Sequence, residues 1–174
     1  MAFNRLATFA PNDVTIVISQ ASTGLSYIVS GYSEDSIVGI ERNAETYTLY
    51  TGADNTNTRI YNANTAAKIT LSLQQTSSGN DILSSLYLND AASRDSSGLF
   101  SISVVDNSGR SSYFSEEAYI AVVPNSQFDN KMETRDWVIE ATRLDTYIGG
   151  NSILSAEDKG ALDQLGQVVN PRWV

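Results

Sequence analysis

The sequence predicts a mainly β fold, a β-sandwich or barrel, with one helix against it and a helical tail. Three observations predict this class: short runs of alternating apolar and polar residues, the enrichment of those runs in Thr, Tyr, Val and Ile, and turn formers between them. With 174 residues, 41% of them hydrophobic, the chain can bury one sizeable core. We therefore expect one domain, residues 1–151, and an extension, residues 152–174, divided at "IGGN".

Six strands are predicted before the first helix pattern, and the first five are as follows. In "DVTIVISQ" the apolar Val14, Ile16 and Ile18 alternate with Thr15, Val17 and Ser19, and "ASTG" then turns into the next run. The runs that follow are "LSYIVSGY", "SIVGIER", "ETYTLYTG" and "TRIYNA". The cluster "GADNTNT" between the last two is rich in turn formers, so it predicts a turn.

The stretch from Lys68 to Leu86, "KITLSLQQTSSGNDILSSL", changes its hydrophobic period halfway. Its first half alternates as a strand does, within a run from 66 to 75, and its polar face carries no charge between Ile69 and Gln75. After "TSSG" the apolar residues recur at helical spacing, with Ser77 or Ser78 as the first residue and Ser78 and Asp81 approximating a capping box. We expect this helix to lie over an open end or edge of the sheets.

The remainder of the domain returns to strands. "GLFSISVVD" and "RSSYFSEEAYIAVV" are separated by "DNSG", which predicts a hairpin, and Pro124 stops the second run. The run "METRDWVIEATRLDTYIGG" closes the domain. The extension then contains a helix pattern, "SAEDKGALDQLGQVV", with Ser155 as the N-cap and acidic residues in the first turn.

Composition excludes several classes of function. The formal net charge is −9, which disfavours binding to nucleic acid or to anionic membranes. The chain has no Cys, hence no disulfide framework or thiolate metal site, and no His, the commonest general base. The first residues, "MAFNRLATFAPNDV", lack the apolar core of a signal peptide, and no run approaches the length of a membrane span. We expect a soluble protein made in a cytoplasm.

No motif indicates catalysis, a cofactor or a metal. The paired carboxylates Glu34/Asp35 and Glu116/Glu117 are neighbours in sequence, so in a strand they point to opposite faces and do not converge. "ADNTNTR" lacks the glycine and the closing glutamate of a calcium loop, so turn residues are the better interpretation. The Tyr residues could stack bases, but without a basic groove they are better interpreted as strand formers.

The order of segments across the domain is more specific than any motif. "SGYSEDSIVGIERN", "TGADNTNTR", "KITLSLQQTSSGNDILSSL", "SVVDNSGR", "EAYIAVVPNSQF" and "ETRDWVIEATRLDTYIGGN" follow one another at characteristic intervals. Over about residues 12–151 this pattern resembles the tail tube proteins of contractile-tailed bacteriophages. The chain departs from the pattern at Ser78, where the family favours Pro, and in the extension, which the pattern does not cover.

The resemblance implies a structural subunit with two packed antiparallel sheets and one flanking helix, which forms hexameric rings stacked into a tube. It implies a sheath outside, a tape-measure protein or DNA inside, bound without sequence specificity, and no membrane anchor. It places the protein in the virion after assembly in the host cytoplasm. It also implies that one loop reaches the adjacent ring, here Asp54, Asn55, Thr56, Asn57 and Arg59.

The wall of a channel that conducts DNA should be hydrated but should not bind the DNA. Uncharged or acidic side chains meet both requirements. The channel-facing candidates are Glu41, Glu45, Thr70, Ser72 and Gln74. In the extension, a short glycine-containing helix needs a surface for its apolar stripe. The candidates for anchoring it, on its own domain or on an adjacent subunit, are Leu162, Leu165 and Trp173.

Two alternatives fit the same alternation. The tube of a contractile injection or secretion system would share the architecture. A monomeric binding module, such as a carbohydrate-binding or adhesin domain, would need an exposed aromatic platform. Trp137 lies in the middle of a strand expected to be buried and Trp173 lies at the C-terminus, so the sequence shows no platform.

Overall fold

The structure is a computed structural model that describes residues 6–174. Residues 1–5, the beginning both of the predicted domain and of the stretch examined for a targeting signal, lie outside the described residues. Ten strands and two α-helices follow one another along the described chain. In the part of the chain that the structure describes, no helix is long and apolar enough to cross a membrane.

The strands form two antiparallel sheets, as predicted. Their bounds are β1 (Val14–Gln20), β2 (Leu25–Ile28), β3 (Val38–Arg42), β4 (Tyr47–Thr51), β5 (Asn57–Tyr61), β6 (Ala67–Gln74), β7 (Phe100–Asp106), β8 (Ser112–Val122), β9 (Thr134–Ala141) and β10 (Asp145–Tyr147). Eight strands form the large sheet in the order β2-β1-β7-β8-β9-β6-β3, with β10 paired to β8, while β4 and β5 pair only with each other. The turn predicted at "DNSG" joins β7 to β8.

The large sheet curls because the chain leaving β2 crosses from β1 to β6. Val29 N–H donates to Ile16 O on β1 (2.9 Å), and two residues later Gly31 O accepts from Gln74 N–H on β6 (2.8 Å). Tyr32 then forms an isolated bridge to β6. These bonds link the two halves of the sheet, so its concave face encloses one core.

Alternation decides which side chains enter that core. The inward residues of paired strands stack in register, for example Ile40, Ile69, Ile139 and Ile120 on β3, β6, β9 and β8. All buried apolar residues belong to a single cluster. It includes Trp137, 3% exposed, as its position in the middle of a strand predicted.

Helix α1 (Gly79–Ser93) covers the core and buries Leu83 and Leu86. Its predicted capping box is wrong, because Ser78 is already helical in its backbone angles and its side chain makes no cap bond. The preceding serine takes that role: Ser77 Oγ accepts from Gly79 N–H (3.1 Å) and donates to Ser30 O (2.6 Å). The helix start is thereby attached to the crossing segment after β2.

Helix α2 (Ala156–Gln164) begins where the sequence predicts. Ser155 and Asp158 form a complete capping box, with each side chain bonded to the other residue's backbone. The helix is shorter than its pattern, since Gly166 is left-handed (φ +75) and Gln167 N–H bonds to Leu162 O (2.9 Å). This arrangement is a Schellman end, which stops the helix before the remaining apolar residues.

Candidate assembly surfaces

The convex face of β3, β6 and β9 is the first candidate surface, and it holds most of the predicted channel-facing residues. Glu41 lies beside Lys68, and Thr70 lies beside Gly39, so these side chains share the outward face. Gln74 on the same face of β6 is exposed. Glu45 lies in the connection between β3 and β4.

Ser72 does not belong to the exposed set. Ser72 is 7% exposed, and the segment after β2 lies beside this end of β6. Ser33 N–H donates to Ser72 O (2.9 Å), and Ser72 N–H donates to Ile37 O (3.1 Å). Ser72 is therefore buried in the described subunit, and its place on a channel wall stays a prediction.

Strand β9 adds two carboxylates to this face that the sequence did not place there. Asp136 pairs with Ser72 and Glu140 pairs with Lys68 in the register of β6 and β9. Asn43 Nδ2 donates to Glu140 Oε1, which fixes that carboxylate. The alternation of Asp136, Val138 and Glu140 with buried residues in "TRDWVIEA" indicates that these three side chains point outward. Only the pairing of β9 with β6 shows which surface they belong to.

The second candidate surface is the β4–β5 hairpin, whose strand residues are all exposed. It exposes large apolar or aromatic side chains at Tyr47, Leu49, Tyr50, Ile60 and Tyr61. Alternation puts Leu49 on one face and Tyr50 and Ile60 on the other, so neither face is wholly polar. Such a hairpin has no core of its own.

The predicted loop residues divide between the hairpin's turn and its second strand. Asp54, Asn55 and Thr56 lie in the turn, which spans 52–56, whereas Asn57 and Arg59 belong to β5. Arg59 instead stacks over the Tyr47 ring, with its guanidinium carbon 4.3 Å from the ring centroid. Of the predicted loop residues, the turn itself contains only Asp54, Asn55 and Thr56.

Hydrogen bonds shape this turn from within. Gly52 N–H donates to Thr56 O (2.8 Å), and Asn55 takes the left-handed conformation that Asn tolerates (φ 65). Hydrogen bonds from the Thr56 side chain and backbone lower the pKa of Asp54. The tip of the hairpin therefore presents an ionised carboxylate at neutral pH.

The extension docks on the β7–β8 turn of its own subunit. Two guanidinium groups lie over the Trp173 ring, with Arg172 4.7 Å and Arg110 5.2 Å from its centroid. Leu154 N–H donates to Trp173 O (2.8 Å), and Arg110 Nη1 donates to Ser152 O (2.6 Å). Trp173 thus contacts Arg110 of the domain, and its role as an anchor stays a prediction.

The two leucines proposed as anchors behave differently from Trp173. Leu162 is half-buried, whereas Leu165 is 81% exposed because the helix ends at that turn. Leu165 therefore does not anchor the extension within the described subunit. Any anchoring role for it needs a neighbouring copy.

Asp106 connects the β7–β8 turn to Asn151, the last residue before the extension. Its Oδ1 accepts from Ser108 Oγ (2.6 Å), and its Oδ2 accepts from Asn151 Nδ2 (3.1 Å). Partial burial raises the pKa of Asp106, but the hydrogen bonds from Ser108 and Asn151 outweigh it, so the pKa lies below its usual value. The ionised form therefore holds the turn and the extension together.

Among residues 6–174, no group of Asp or Glu side chains could hold a metal ion. The concave face of the barrel is filled with apolar side chains, and further large apolar side chains are exposed on the hairpin and around the loop after β8. A fold with a filled core and with apolar side chains clustered on an outer hairpin is typical of a protein that binds other chains.

The sequence comparisons name the kind of assembly. The chain matches the family of the bacteriophage PhiTE tail tube protein over residues 6–149. It is 49% identical over 170 residues to structural protein ORF10 of Pseudomonas phage KPP10, covering 98% of each chain. The chain belongs to this tail tube family. It is a structural subunit of a phage tail tube and a component of the virion, and not an enzyme, so the prediction of a tail tube protein is confirmed.

Two solved structures share the fold at low sequence identity. The tube-terminating cap of the anti-feeding prophage has a TM-score of 0.50 and 12% identity, covering 84% of this chain and 99% of that chain. A chain from the sheath–tube complex of the extracellular contractile injection system PVC, in its extended state, has a TM-score of 0.53 and 10% identity, covering 80% and 91%. The predicted fold class is therefore confirmed.

Proposed function

We propose that this protein forms closed rings of six copies that stack into the tube of a contractile phage tail. The observation that carries the proposal is the β4–β5 hairpin, which exposes apolar side chains on both faces. A two-stranded hairpin is at best marginally stable alone in water, so a neighbouring copy supplies the surface that it needs. The polar turn at its tip then lies against the adjacent ring.

Unpaired strand edges support closure of the ring. Strands β2 and β3 end the large sheet, and each pairs with only one strand within residues 6–174. Exposed edges of this kind add strands from another chain unless they are covered. Six copies joined edge to edge would leave a continuous β surface around a channel.

The convex face of β3, β6 and β9 is the proposed channel wall. Thr70 and Gln74 are uncharged, while Glu41, Asp136 and Glu140 outnumber the single cation Lys68 on this face. Six copies of a chain at −9 would carry −54. A wall of this kind repels the phosphate backbone, so DNA slides through without sequence-specific binding.

The proposed partners follow from this arrangement. A tape-measure protein occupies the channel before DNA does, and a sheath surrounds the tube. The similar PVC chain comes from a sheath–tube complex, which supports the sheath as the outer partner. Assembly in the host cytoplasm is part of the same proposal.

A shortened hairpin tests the stacking role. Replacing residues 52–56 with Asn-Gly keeps the Thr51–Asn57 pairing and supplies a two-residue turn that hairpins favour. Because no core residue is removed, we expect the subunit to keep its circular dichroism spectrum and melting temperature. Tube growth, followed by electron microscopy of the purified protein, should be strongly impaired.

A matched pair of substitutions separates the hairpin from general surface effects. Leu49→Ser on the hairpin should reduce tube length, whereas Leu88→Ser on α1 removes a leucine of similar exposure elsewhere (63% against 72%) and should not. Tubes of normal length from both the shortened hairpin and Leu49→Ser would contradict the stacking role. A lowered melting temperature for the shortened hairpin would instead show that the turn belongs to the fold.

A further inference from the structure

A buried arginine lies under the loop between β8 and β9. Arg135 is 7% exposed, and its guanidinium donates to two carbonyls at long distances, Thr134 O (3.2 Å) and Gln127 O (3.4 Å). The single ion pair among residues 6–174 joins Lys159 and Asp163, so no carboxylate of the described chain pairs with Arg135. A guanidinium has five donors, so its capacity is largely unused.

A buried charge without a counter-charge is unfavourable. Removing an ion from water costs several kcal/mol even after relaxation, and two carbonyl bonds do not neutralise a full positive charge. Proteins therefore rarely bury Arg unless it is paired. Arg135 is the type of residue that gains most when another chain brings a carboxylate, because the guanidinium is already desolvated and held in place.

The surroundings of Arg135 have the composition of an interface core. It lines a cleft of about 450 Å³ between β9 and the loop, and a second one of about 310 Å³ that reaches Trp137. Phe128, 80% exposed, lies over the guanidinium at 5.4 Å, and Met132 is 63% exposed nearby in sequence. Arg, Met and aromatic residues are those enriched at the centres of protein interfaces.

The residues that line the larger cleft argue against a free anion as its occupant. Glu133 and Asp136 also line it, and neither pairs with Arg135. Their charges repel a small anion that brings nothing else. A polypeptide can offset this repulsion with apolar contacts to Phe128 and Val123, so the occupant is a protein segment that carries both a carboxylate and apolar side chains.

This chain has such a segment in its β4–β5 hairpin. We propose that the hairpin tip of one copy inserts at the cleft of a second copy, where the Asp54 carboxylate pairs with Arg135. The tip projects from the barrel and carries Leu49 and Tyr50 beside its acidic turn. Asp54 Oδ1 accepts from Thr56 N–H (3.2 Å), which leaves the other oxygen for the guanidinium. The inference rests on the proposed stacking and adds the site that receives the hairpin.

Cysteine cross-linking tests this contact directly, because the natural chain has no Cys. Ala53→Cys lies next to Asp54, and Ser126→Cys lines both clefts; both positions are exposed. Assembled tubes of the double variant should give a ladder of covalent multimers on mild oxidation, since each copy's hairpin reaches the next copy's cleft. A mixture of the two single variants should give dimers.

The matched control is Ala53→Cys with Ala92→Cys, which places the second thiol on exposed α1 and should give no ladder. Normal tubes of the Ala53/Ser126 variant without cross-links would overturn the inference and leave the stacking role intact. A natural chain that forms no tubes would overturn both, and microscopy separates the two cases.

A double-mutant cycle tests the charge pair itself. Asp54→Asn and Arg135→Gln should each slow tube elongation about tenfold or more, as the loss of one partner of a buried pair does. The double variant should be no slower than Arg135→Gln alone. Elongation of Asp54→Asn at the natural rate would overturn the pairing, and because Asp54 is fully exposed in the subunit, that variant does not depend on the fold.

Discussion

One glycine shows how a single residue permits the chain to cross from β1 to β6. Gly31 lies in the segment that crosses from β1 to β6, with φ +76, and a Cβ there would lie 2.7 Å from the Ser77 Cβ. Both constraints require glycine: a left-handed backbone costs other residues about 1–2 kcal/mol, and Ser77 cannot retreat while it bonds Ser30 and Gly79. The crossing and the start of α1 are therefore built together.

We predict that Gly31→Ala lowers the free energy of unfolding by at least about 1–2 kcal/mol. Urea unfolding followed by circular dichroism measures it. Gly39→Ala is the control, because Gly39 has ordinary backbone angles and no atom within 4 Å of its added Cβ. Equal stability of Gly31→Ala and the natural chain would show that the crossing segment adapts without strain.

The burial of some residues could be predicted from the sequence, and the burial of others could not. Trp137 was predicted to be buried, and it is, with Nε1 donating to Asn80 Oδ1 (2.9 Å). Arg135, two residues earlier on the same face, is buried as well, although a charged residue at a strand's start is ordinarily exposed. Nothing local in "TRDWVIEA" distinguishes the two cases, because the loop that covers Arg135 lies before the strand.

At the level of elements, local chemistry was predictable and tertiary contacts were not. Ser155 caps α2 as its sequence indicates, since a capping box needs only residues three apart. The serine that acts at the start of α1 is Ser77, because its hydroxyl is also bonded to Ser30, 47 residues away. The hairpin's strands were found from their alternation, but their detachment from the barrel has no signal in either strand.

The extension provides a prediction about pH. The lowered pKa of Asp106 means that its ionised form is favoured by folding. The stabilisation is therefore complete above the unfolded pKa, about 3.9, and is lost as the pH falls through the lower folded value. We expect residues 152–174 to leave the β7–β8 turn in acid before the barrel unfolds. NMR relaxation of these residues at neutral and acidic pH measures their release.

Asp106→Asn is the neutral-pH counterpart of this experiment, since the amide resembles the protonated acid in charge. It should mobilise the extension at pH 7 while the barrel retains its circular dichroism spectrum. Asp163→Asn, in the exposed pair with Lys159, is the control and should leave the docking unchanged, because exposed i,i+4 pairs contribute little. If the extension stays ordered both at acidic pH and in the Asp106→Asn variant, its docking depends on Trp173 and the arginines alone.

For the whole molecule, the class of fold could be predicted from the sequence, but the order of the strands in the sheet could not. Alternation predicted the strands, yet the pairing of β9 with β6 depends on contacts between residues far apart in sequence, such as Ile69 with Ile139. That pairing is also what brings Asp136 and Glu140 to the proposed channel face. Resemblance to a family supplied the function because no local motif carries it.

The net charge makes a prediction about how copies come together. Each subunit carries −9, so subunits repel one another at low ionic strength, and the proposed stacking has to overcome this repulsion. Salt screens exposed charges beyond about 10 Å at 0.1 M but affects a buried pair such as Asp54 with Arg135 much less. Raising NaCl from about 0.02 to about 0.3 M should therefore accelerate tube growth, measured by light scattering.

The variant Glu34→Gln/Asp35→Asn removes two exposed charges, so its tube growth should depend less on salt. Growth that slows with added salt would show that attraction between exposed opposite charges, and not apolar contact at the hairpin, controls assembly.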